Sequence, residues 1–494
     1  MSLPQDVRNI LKVVYKDPIQ NLLGRHDPVF NGVRKEIWRG RELRYANIYS
    51  RSPAIASNHN ISSQIAQSAG TKNSEWIVPL DERQLFANTV VTQKQILASK
   101  DKAGAYQTIG QNLMFGSMSG LRRVAARLFY SKGFGEFGYL DENTAINDEA
   151  LGAVTVGENT IVMTRSQVAG IDIGTQWQFG NAITGLPSPN GSINSVISIQ
   201  SLPTNSGFAA GAALVTFTAT AAHTPAAGQM MVYYGNHNGT LAIPGQVCAP
   251  HGLGALFPTN QAERNSELYG VDRSVYPQRL SGAFVDDSGL VASTNLKINT
   301  VNRLFNEVRQ AGGEPTLIVL SANDYADMWN QITDLGGPTN AMRLTQDTRA
   351  PNKRGQSNIT SGPSNYAFAM ATSWLDRVVD TPFIEDGQFY ILTLDDLFIP
   401  TYSNFSPVDQ NNNAGEQPGR GEDPLAETDK SEERMAVNIE DIFTVEPAPG
   451  SSDGTAVSVT ASLFYDVCAF NPANHGVGLF PAALENLQDA ESRP

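Results

Sequence analysis

Residues 293–332 read STNLKINTVNRLFNEVRQAGGEPTLIVLSANDYADMWNQI. In 293–313, Leu296, Val301, Leu304, Phe305 and Val308 fall on one side of a helical projection, so an amphipathic helix is expected there. PTLIVLS (315–321) is a short, uninterrupted apolar run, expected as a buried strand. ANDYADMWNQI (322–332) is expected as a second helix. A helix–strand–helix unit cannot bury its apolar surfaces by itself, so it must pack on a sheet.

The next informative stretch lies downstream. FIEDGQFYILTLDDLF (383–398) sets two acidic pairs, Glu385–Asp386 and Asp395–Asp396, on either side of one apolar run. Paired carboxylates are what a hydrolase or a metal site uses. Here, Asp386–Gly387 between two apolar runs is a hairpin signal, because glycine adopts positive φ at little cost. The strand FYILTL (389–394) would hold the pairs roughly 25 Å apart at ~3.3 Å per residue. That is too far for joint acid–base work, so both pairs read as turn residues.

Upstream the period changes twice. KAGAYQTIGQNLMFGSMSGLRRVAARLFY (102–130) carries Tyr106, Ile109, Leu113, Met114, Leu121, Val124, Ala125, Leu128 and Phe129 at three- and four-residue steps. One long helix is expected, capped at Asp101 and stopped at Gly133. Gly104, Gly110, Gly116 and Gly120 weaken it, so packing must hold it. Its basic side, Arg122, Arg123 and Arg127, is expected to be a solvated face. From 154 to 256 short strands dominate: 154–164, 192–202, 212–222 and 230–236, punctuated by Gly, Pro and Asn, as in a small barrel or sandwich. Before the long helix, 42–50, 74–80 and 83–97 read as extended chain, and 52–73 as an exposed polar loop. Residues 403–436 hold almost no apolar side chains and read as a solvated loop. Strands return at 436–447 and 455–470.

The totals exclude several classes. The chain has 494 residues, 43 Gly and 27 Pro, with net charge −14. Residues 1–130 hold 18 Lys and Arg against 9 Asp and Glu, whereas 131–494 hold 17 against 40. A basic front and an acidic body result. The acidic body argues against tight duplex binding, which comes chiefly from neutralising phosphates. No run of about 18 apolar residues occurs, so no membrane span is expected, and the first twenty residues lack a signal-peptide pattern. Cys248 and Cys468 lie far apart with no Cys or His companion, as buried free thiols would. His26, His59, His223, His237, His251 and His475 are scattered, with no metal-ligand spacing. No nucleophile elbow, P-loop or dinucleotide fingerprint occurs, and GFGEFG (133–138) reads as a helix stop. No catalytic, cofactor-binding or metal site is expected, and no cofactor.

Several segments, taken in order, resemble the major capsid proteins of tailed bacteriophages, with the Hong Kong 97 fold. GLRRVAARLFY (120–130) is similar to the end of their spine helix. RNSELYGVDRSVYPQRLSG (264–282), leading into NRLFNEVRQAGGEPTLIVLSANDYADM (302–328), resembles their axial region. DRVVDTPFIEDGQFYILTLDDL (376–397) resembles a late strand–turn–strand, and FYDVCAFNPANHGVGLF (464–480) a closing strand. The resemblance implies an α+β capsid fold with an inserted barrel-like β domain. It divides the chain into an N-terminal arm (1–36), an extended hairpin loop (37–99), a peripheral domain with the spine helix (100–156) and the inserted β-rich domain (157–256). An axial α/β domain (257–402), a solvated loop (403–436), and return strands with a tail (437–494) follow.

It also implies a function. Copies of the chain would form hexamers and pentamers of an icosahedral shell around packaged double-stranded DNA, in a virion assembled in the host cytoplasm. The partners would be the chain itself and, alongside it, scaffolding, portal and decoration proteins, with DNA nearby only weakly and non-specifically. Two other readings stand beside it. One is the shell of a cellular nanocompartment with the same fold. The other is a carbohydrate-binding or enzymatic protein in which Trp177, Tyr233 and Tyr234 of the β block stack on sugar, although aromatics in strands are more often core.

Overall fold

The computed structural model describes residues 27–38, 42–50, 56–68, 72–79, 83–92, 120–142, 144–181, 192–202, 211–234, 249–290, 297–328, 330–331, 377–402, 443–447 and 456–481. The architecture is α+β. It divides into two units that interleave along the chain. The first draws on Met1–Arg41, Leu80–Gly252 and Phe398–Val467, the second on Glu42–Pro79, Leu253–Leu397 and Cys468–Pro494. The stretch 37–99 is therefore shared: its hairpin belongs to the second unit and its last strand to the first.

The second unit is built on the helix and strand of residues 297–321. Lys297–Gln310 is a helix whose Val301, Leu304, Phe305 and Val308 are buried. It packs on a five-stranded mixed sheet, ordered Ala283–Asp286, Gly476–Leu479, Gln388–Leu392, Leu317–Ser321 and Arg377–Thr381. Leu317–Ser321 is buried along its whole length, as the uninterrupted apolar run required. Residues 322–328 form the second helix.

The acidic turn departs from expectation. Arg377–Thr381 and Gln388–Leu392 are not hairpin partners: both flank Leu317–Ser321, the first parallel to it, the second antiparallel. Six linking residues, Pro382–Gly387, suffice to step across one intervening strand, about 10 Å between the outer two. Asp–Gly marks a turn here, with Gly387 at φ +85°, but not a two-residue hairpin.

Small residues in Gly476–Leu479 let the helix approach. A Cβ on Gly476 would lie 2.9 Å from Leu304 Cδ1, and one on Gly478 only 2.4 Å from the Phe389 ring. Phe389 pairs across the ladder with Gly478 and stacks on Phe480 at 4.3 Å. Gly478→Ala is expected to cost about 2 kcal/mol through overpacking. A urea midpoint lowered accordingly would confirm it; an unchanged midpoint would show that the ring shifts freely.

The second unit also carries a two-stranded antiparallel hairpin, Glu42–Ser50 on Lys72–Pro79. Between its strands, where an exposed loop was expected, His59–Ser68 is a helix. Its first residues are exposed, as that loop would be. So polar a segment shows no apolar stripe from which a helix could be read.

The first unit centres on an eight-stranded sheet. Its order is Glu136–Tyr139, Met230–Tyr233, Gln176–Gly180, Asn194–Ser201, Ala213–Ala219, Gly157–Met163, and the two-residue strands Ala145–Ile146 and Glu149–Ala150. The sheet thus reaches back past residue 157, because GFGEFG opens with two positive-φ glycines, Gly133 and Gly135, and then turns into a strand at Glu136. The end strands share no ladder among the described residues. In Ala213–Ala219, every second residue from Ala213 is buried, the period of a half-buried strand. A bulge between Val196 and Ser198 turns Ile197 outward.

Helix 120–128 precedes this sheet, and the rest of the expected long helix, 101–119, lies outside the described residues. Its described part ends five residues before Gly133. Arg34–Trp38 runs parallel to Leu397–Tyr402, and Gln84–Thr92 pairs with Ala456–Phe464, which pairs with Phe443–Pro447. Residues from the front of the chain therefore close ladders with its last third. Residues 1–26, 403–436 and 482–494 lie outside the described residues.

Candidate functional site

The two acidic pairs sit at opposite ends of Gln388–Leu392, as the sequence reading placed them. The Glu385 main-chain carbonyl closes a turn by accepting from the Gln388 amide at 3.2 Å, and the Asp386 carboxylate accepts from Asn323 Nδ2 at 2.9 Å. Asp395 and Asp396 end a 3₁₀ turn, Leu394–Asp396, and Asp396 accepts from the Asn474 side-chain amide. Burial raises the Asp396 carboxyl, the Asn474 bond opposes this, and Asp395 adds to the rise. Each pair fastens a turn, and neither faces the other.

A polar constellation that the sequence reading did not single out brings a lysine, two aspartates and a serine together. Lys297 Nζ lies 2.7 Å from Asp324 Oδ1 and 2.7 Å from Asp327 Oδ2. Asp324 Oδ2 accepts from Ser321 Oγ at 2.9 Å and from the Gly387 amide at 2.7 Å. The Asp324 amide in turn donates to Ser321 Oγ at 3.1 Å. A serine, a lysine and two carboxylates invite a nucleophilic reading. The geometry opposes it. Burial works against the Lys297 charge, but Asp324 and Asp327 more than offset that and hold the ammonium above its usual range. It stays protonated and cannot serve as a base. Ser321, Asp324 and Lys297 are all buried, so their bonds face each other rather than a solute. The cluster ties a helix start, a strand end, a second helix and the 385–387 turn together.

His251 and Asp466 form a second suggestive pair. The His251 amide donates to Asp466 Oδ1 at 2.7 Å, and its Nδ1 stands 3.5 Å from Oδ2. Nε2, the nitrogen a catalytic dyad would turn toward a nucleophile, instead faces Arg83 at 3.4 Å. His223 stacks on Phe179 at 4.6 Å and bonds Gln229. His475 is fully buried, and His26 and His237 lie outside the described residues. Among the described residues, no group of three or more His, Cys, Asp or Glu could hold a metal. Cys468 is a buried free thiol; Cys248 lies outside the described residues.

The basic face of helix 120–128 corrects an expectation. Arg122 and Arg127 are buried rather than solvated. Arg127 Nε donates to the Phe137 carbonyl at 3.0 Å, and Arg123 alone stays half-exposed, pairing with Asp172 at 2.8 Å. The helix sits against the eight-stranded sheet, and the guanidinium groups of Arg123 and Arg127 satisfy the Ile171 and Phe137 carbonyls that packing would otherwise orphan. Asp27 is buried beside them and caps Pro28–Gly32 by accepting from the Val29 amide at 3.0 Å. Burial pushes its carboxyl up to about 6, against hydrogen bonds from Tyr130, Val29 and Phe30 and the charge of Arg122.

The β block offers no sugar platform from the three aromatics. Trp177 is fully buried among Phe137, Phe179 and Phe217, with ring centroids at 6.0, 4.8 and 5.2 Å. Tyr233 is buried and donates to the Gly170 carbonyl at 2.6 Å. Only Tyr234 is exposed, at 48%. What the described surface does present is scattered apolar side chains: Phe86, Val156, Ile173, Ile197 and Val275. No helix among the described residues is long and apolar enough to cross a membrane.

No protein-family model and no curated protein matches the chain. Among solved structures, it is similar to a chain of the capsid asymmetric unit of cyanophage A-1(L), at 10% identity and TM-score 0.45, over 92% of this chain and 91% of that one. It is similar to a chain from Mycobacterium phage Ogopogo at 10% identity and TM-score 0.35, over 92% of each. An encapsulin complex from Synechococcus elongatus gives 8% identity and TM-score 0.33, over 97% of this chain and 96% of that one. Likenesses this distant decide nothing by themselves.

Proposed function

We propose that this chain is a capsid subunit of the Hong Kong 97 fold, assembling through hexamers and pentamers into an icosahedral head around double-stranded DNA. The observation that carries this reading is the hairpin of Glu42–Ser50 and Lys72–Pro79, placed in chain order before helix 120–128 and the α/β unit. A two-stranded ribbon is marginal alone; its base packs Trp76 on Tyr269, but none of its residues belongs to the buried cluster around Leu304 and Phe389. Such an element is suited to lie on neighbouring copies. Lys–Asp and His–Asp clusters whose Lys297, Asp324 and Asp466 are buried and bonded within the chain fit a structural subunit, because a shell needs contacts that close by symmetry rather than a pocket. The basic front and acidic remainder supply charges of both signs for those contacts. Individual rim pairs are worth about 0–1 kcal/mol, but they repeat at every interface. Scaffolding, portal and decoration proteins would join such a shell, with DNA held only by weak, non-specific proximity. The site would be the virion, assembled in the host cytoplasm.

A nanocompartment with the same fold is the second reading; an empty lumen or protein cargo would favour it. The carbohydrate or enzyme reading loses its motive, since Trp177 and Tyr233 are core. Electron microscopy and mass photometry of the chain expressed alone are the test. Closed shells or hexamer-sized rings are expected, and nucleic acid inside shells from infected cells would separate virion from nanocompartment. A monomer that stays single at high concentration, and also with its own phage's or host's assembly factors, would sink both shell readings.

A further inference from the structure

We propose that the Tyr269–Gly270 turn is the post on which the base of the hairpin is docked, and that this docking opens while the core of the second unit stays folded. The proposal does not rest on the shell reading.

The first observation is backbone strain. Tyr269 and Gly270 link the paired strands Glu267–Leu268 and Val271–Asp272, with φ at +52° and +77°. A two-residue link with positive φ at both positions favours Asn or Gly, and a bulky residue there is an outlier. Nothing in the turn itself calls for tyrosine at its first position. Strain of this kind persists only when surrounding structure fixes it.

The second observation is what that tyrosine reaches. Its ring is buried, with its centroid 6.1 Å from that of Trp76, which is fully buried in the hairpin. Trp76 stacks on Tyr45 at 6.1 Å, and Tyr45 meets Phe470 edge-on at 6.0 Å. The Tyr269 carbonyl also accepts from the Ile77 amide at 2.9 Å, so the same residue holds the hairpin by ring and by backbone. A second strap lies on the other strand, where Arg279 donates to the Tyr49 carbonyl at 3.0 Å.

The third observation is separability. The buried cluster around Val301, Leu304, Phe305, Ile318, Phe389 and Ile391 contains no hairpin residue. Releasing the hairpin therefore leaves that cluster whole, and Tyr269 acts as a positioning residue for it.

The test is hydrogen–deuterium exchange on the full chain. Asn adopts positive φ more readily than Tyr, so Tyr269→Asn keeps the turn and removes the ring. Amides of 42–50 and 72–79 should then exchange about tenfold faster, the factor that loss of one aromatic pair amounts to. Amides of Leu317–Ser321 should not change. Tyr269→Phe, which keeps the ring, should behave as the native chain. Unchanged hairpin exchange in Tyr269→Asn overturns the proposal. So does faster exchange spread equally into Leu317–Ser321, which would make Tyr269 a residue of the fold and not of the docking.

Discussion

Arg273→Ala is expected to destabilise the second unit by about 4 kcal/mol, because it leaves several buried carbonyls unmet and each such group costs ~1–3 kcal/mol. Arg273 is 3% exposed, and no carboxylate is among its partners at the distances that follow. Nε donates to the Ser266 carbonyl at 2.9 Å, and one terminal nitrogen to Ala255 and Leu256 carbonyls at 2.9 and 3.4 Å. The other donates to the Glu263 carbonyl at 2.7 Å and Ser266 Oγ at 3.0 Å. The Ala255, Leu256 and Glu263 carbonyls lie in the last turns of two very short helices, Leu253–Leu256 and Gln261–Arg264. The last carbonyls of a helix have no intrahelical partner and carry its negative pole. One planar guanidinium satisfies several of them at once. Burial lowers the guanidinium's pKa to about 10, with Arg264 adding to the fall, so it remains charged at neutral pH. Alanine leaves the carbonyls buried and unmet. Lysine, a point charge with no fork, should recover less than half of the loss. Arg123→Ala is the control: its pair with the exposed Asp172 should be worth no more than about 1 kcal/mol. Chemical denaturation of the three variants decides it. An Arg273→Ala midpoint equal to that of Arg123→Ala would mean water replaces the guanidinium.

Why Arg273 escaped the sequence reading is instructive. Nothing in the spacing of RNSELYGVDRS marks Arg273 as an internal carbonyl cap. Arginine is usually exposed, so its burial is decided by tertiary packing. The same holds for Arg122 and Arg127, which periodicity put on the polar side of a helix that the eight-stranded sheet then covers. Lys297 and Asp324 are 27 residues apart, and their meeting depends on how a helix crosses a strand. What was legible was local. Val301, Leu304, Phe305 and Val308 declared their helix, and LIVLS its buried strand. The acidic pairs declared themselves turn residues, because strand length alone separated them. The Asp–Gly signal failed at the next level, since a turn's chemistry does not say whether its strands pair with each other or with a third between them.

His475 gives the pH dependence of the second unit a definite sign. Its ring is fully buried, 5.0 Å from Phe257, and its Nδ1 accepts from the Thr393 amide at 3.2 Å. That bond requires the neutral tautomer with the proton on Nε2, and Nε2 has no hydrogen-bond partner among the described residues. Burial lowers the imidazole from 6.5 to about 3. Above pH 6.5 both folded and unfolded states hold it neutral, and the shift costs nothing. As pH falls from 6.5 toward 3, the unfolded chain binds a proton that the folded chain refuses, so stability drops with each unit. At 1.36 kcal/mol per unit the full loss approaches about 5 kcal/mol at pH 3. The carboxyls of buried Asp324 and half-buried Asp396, both raised by burial, take up protons in the folded state and work in the opposite direction. Only a difference between variants therefore isolates the histidine. In His475→Gln, whose side-chain oxygen can still accept from Thr393, the fall in stability between pH 6 and 4 should be shallower than in the native chain by about 1.4 kcal/mol per unit. Urea unfolding at several pH values measures it. Parallel slopes in the two proteins would mean that His475 titrates normally, and that its pocket admits water.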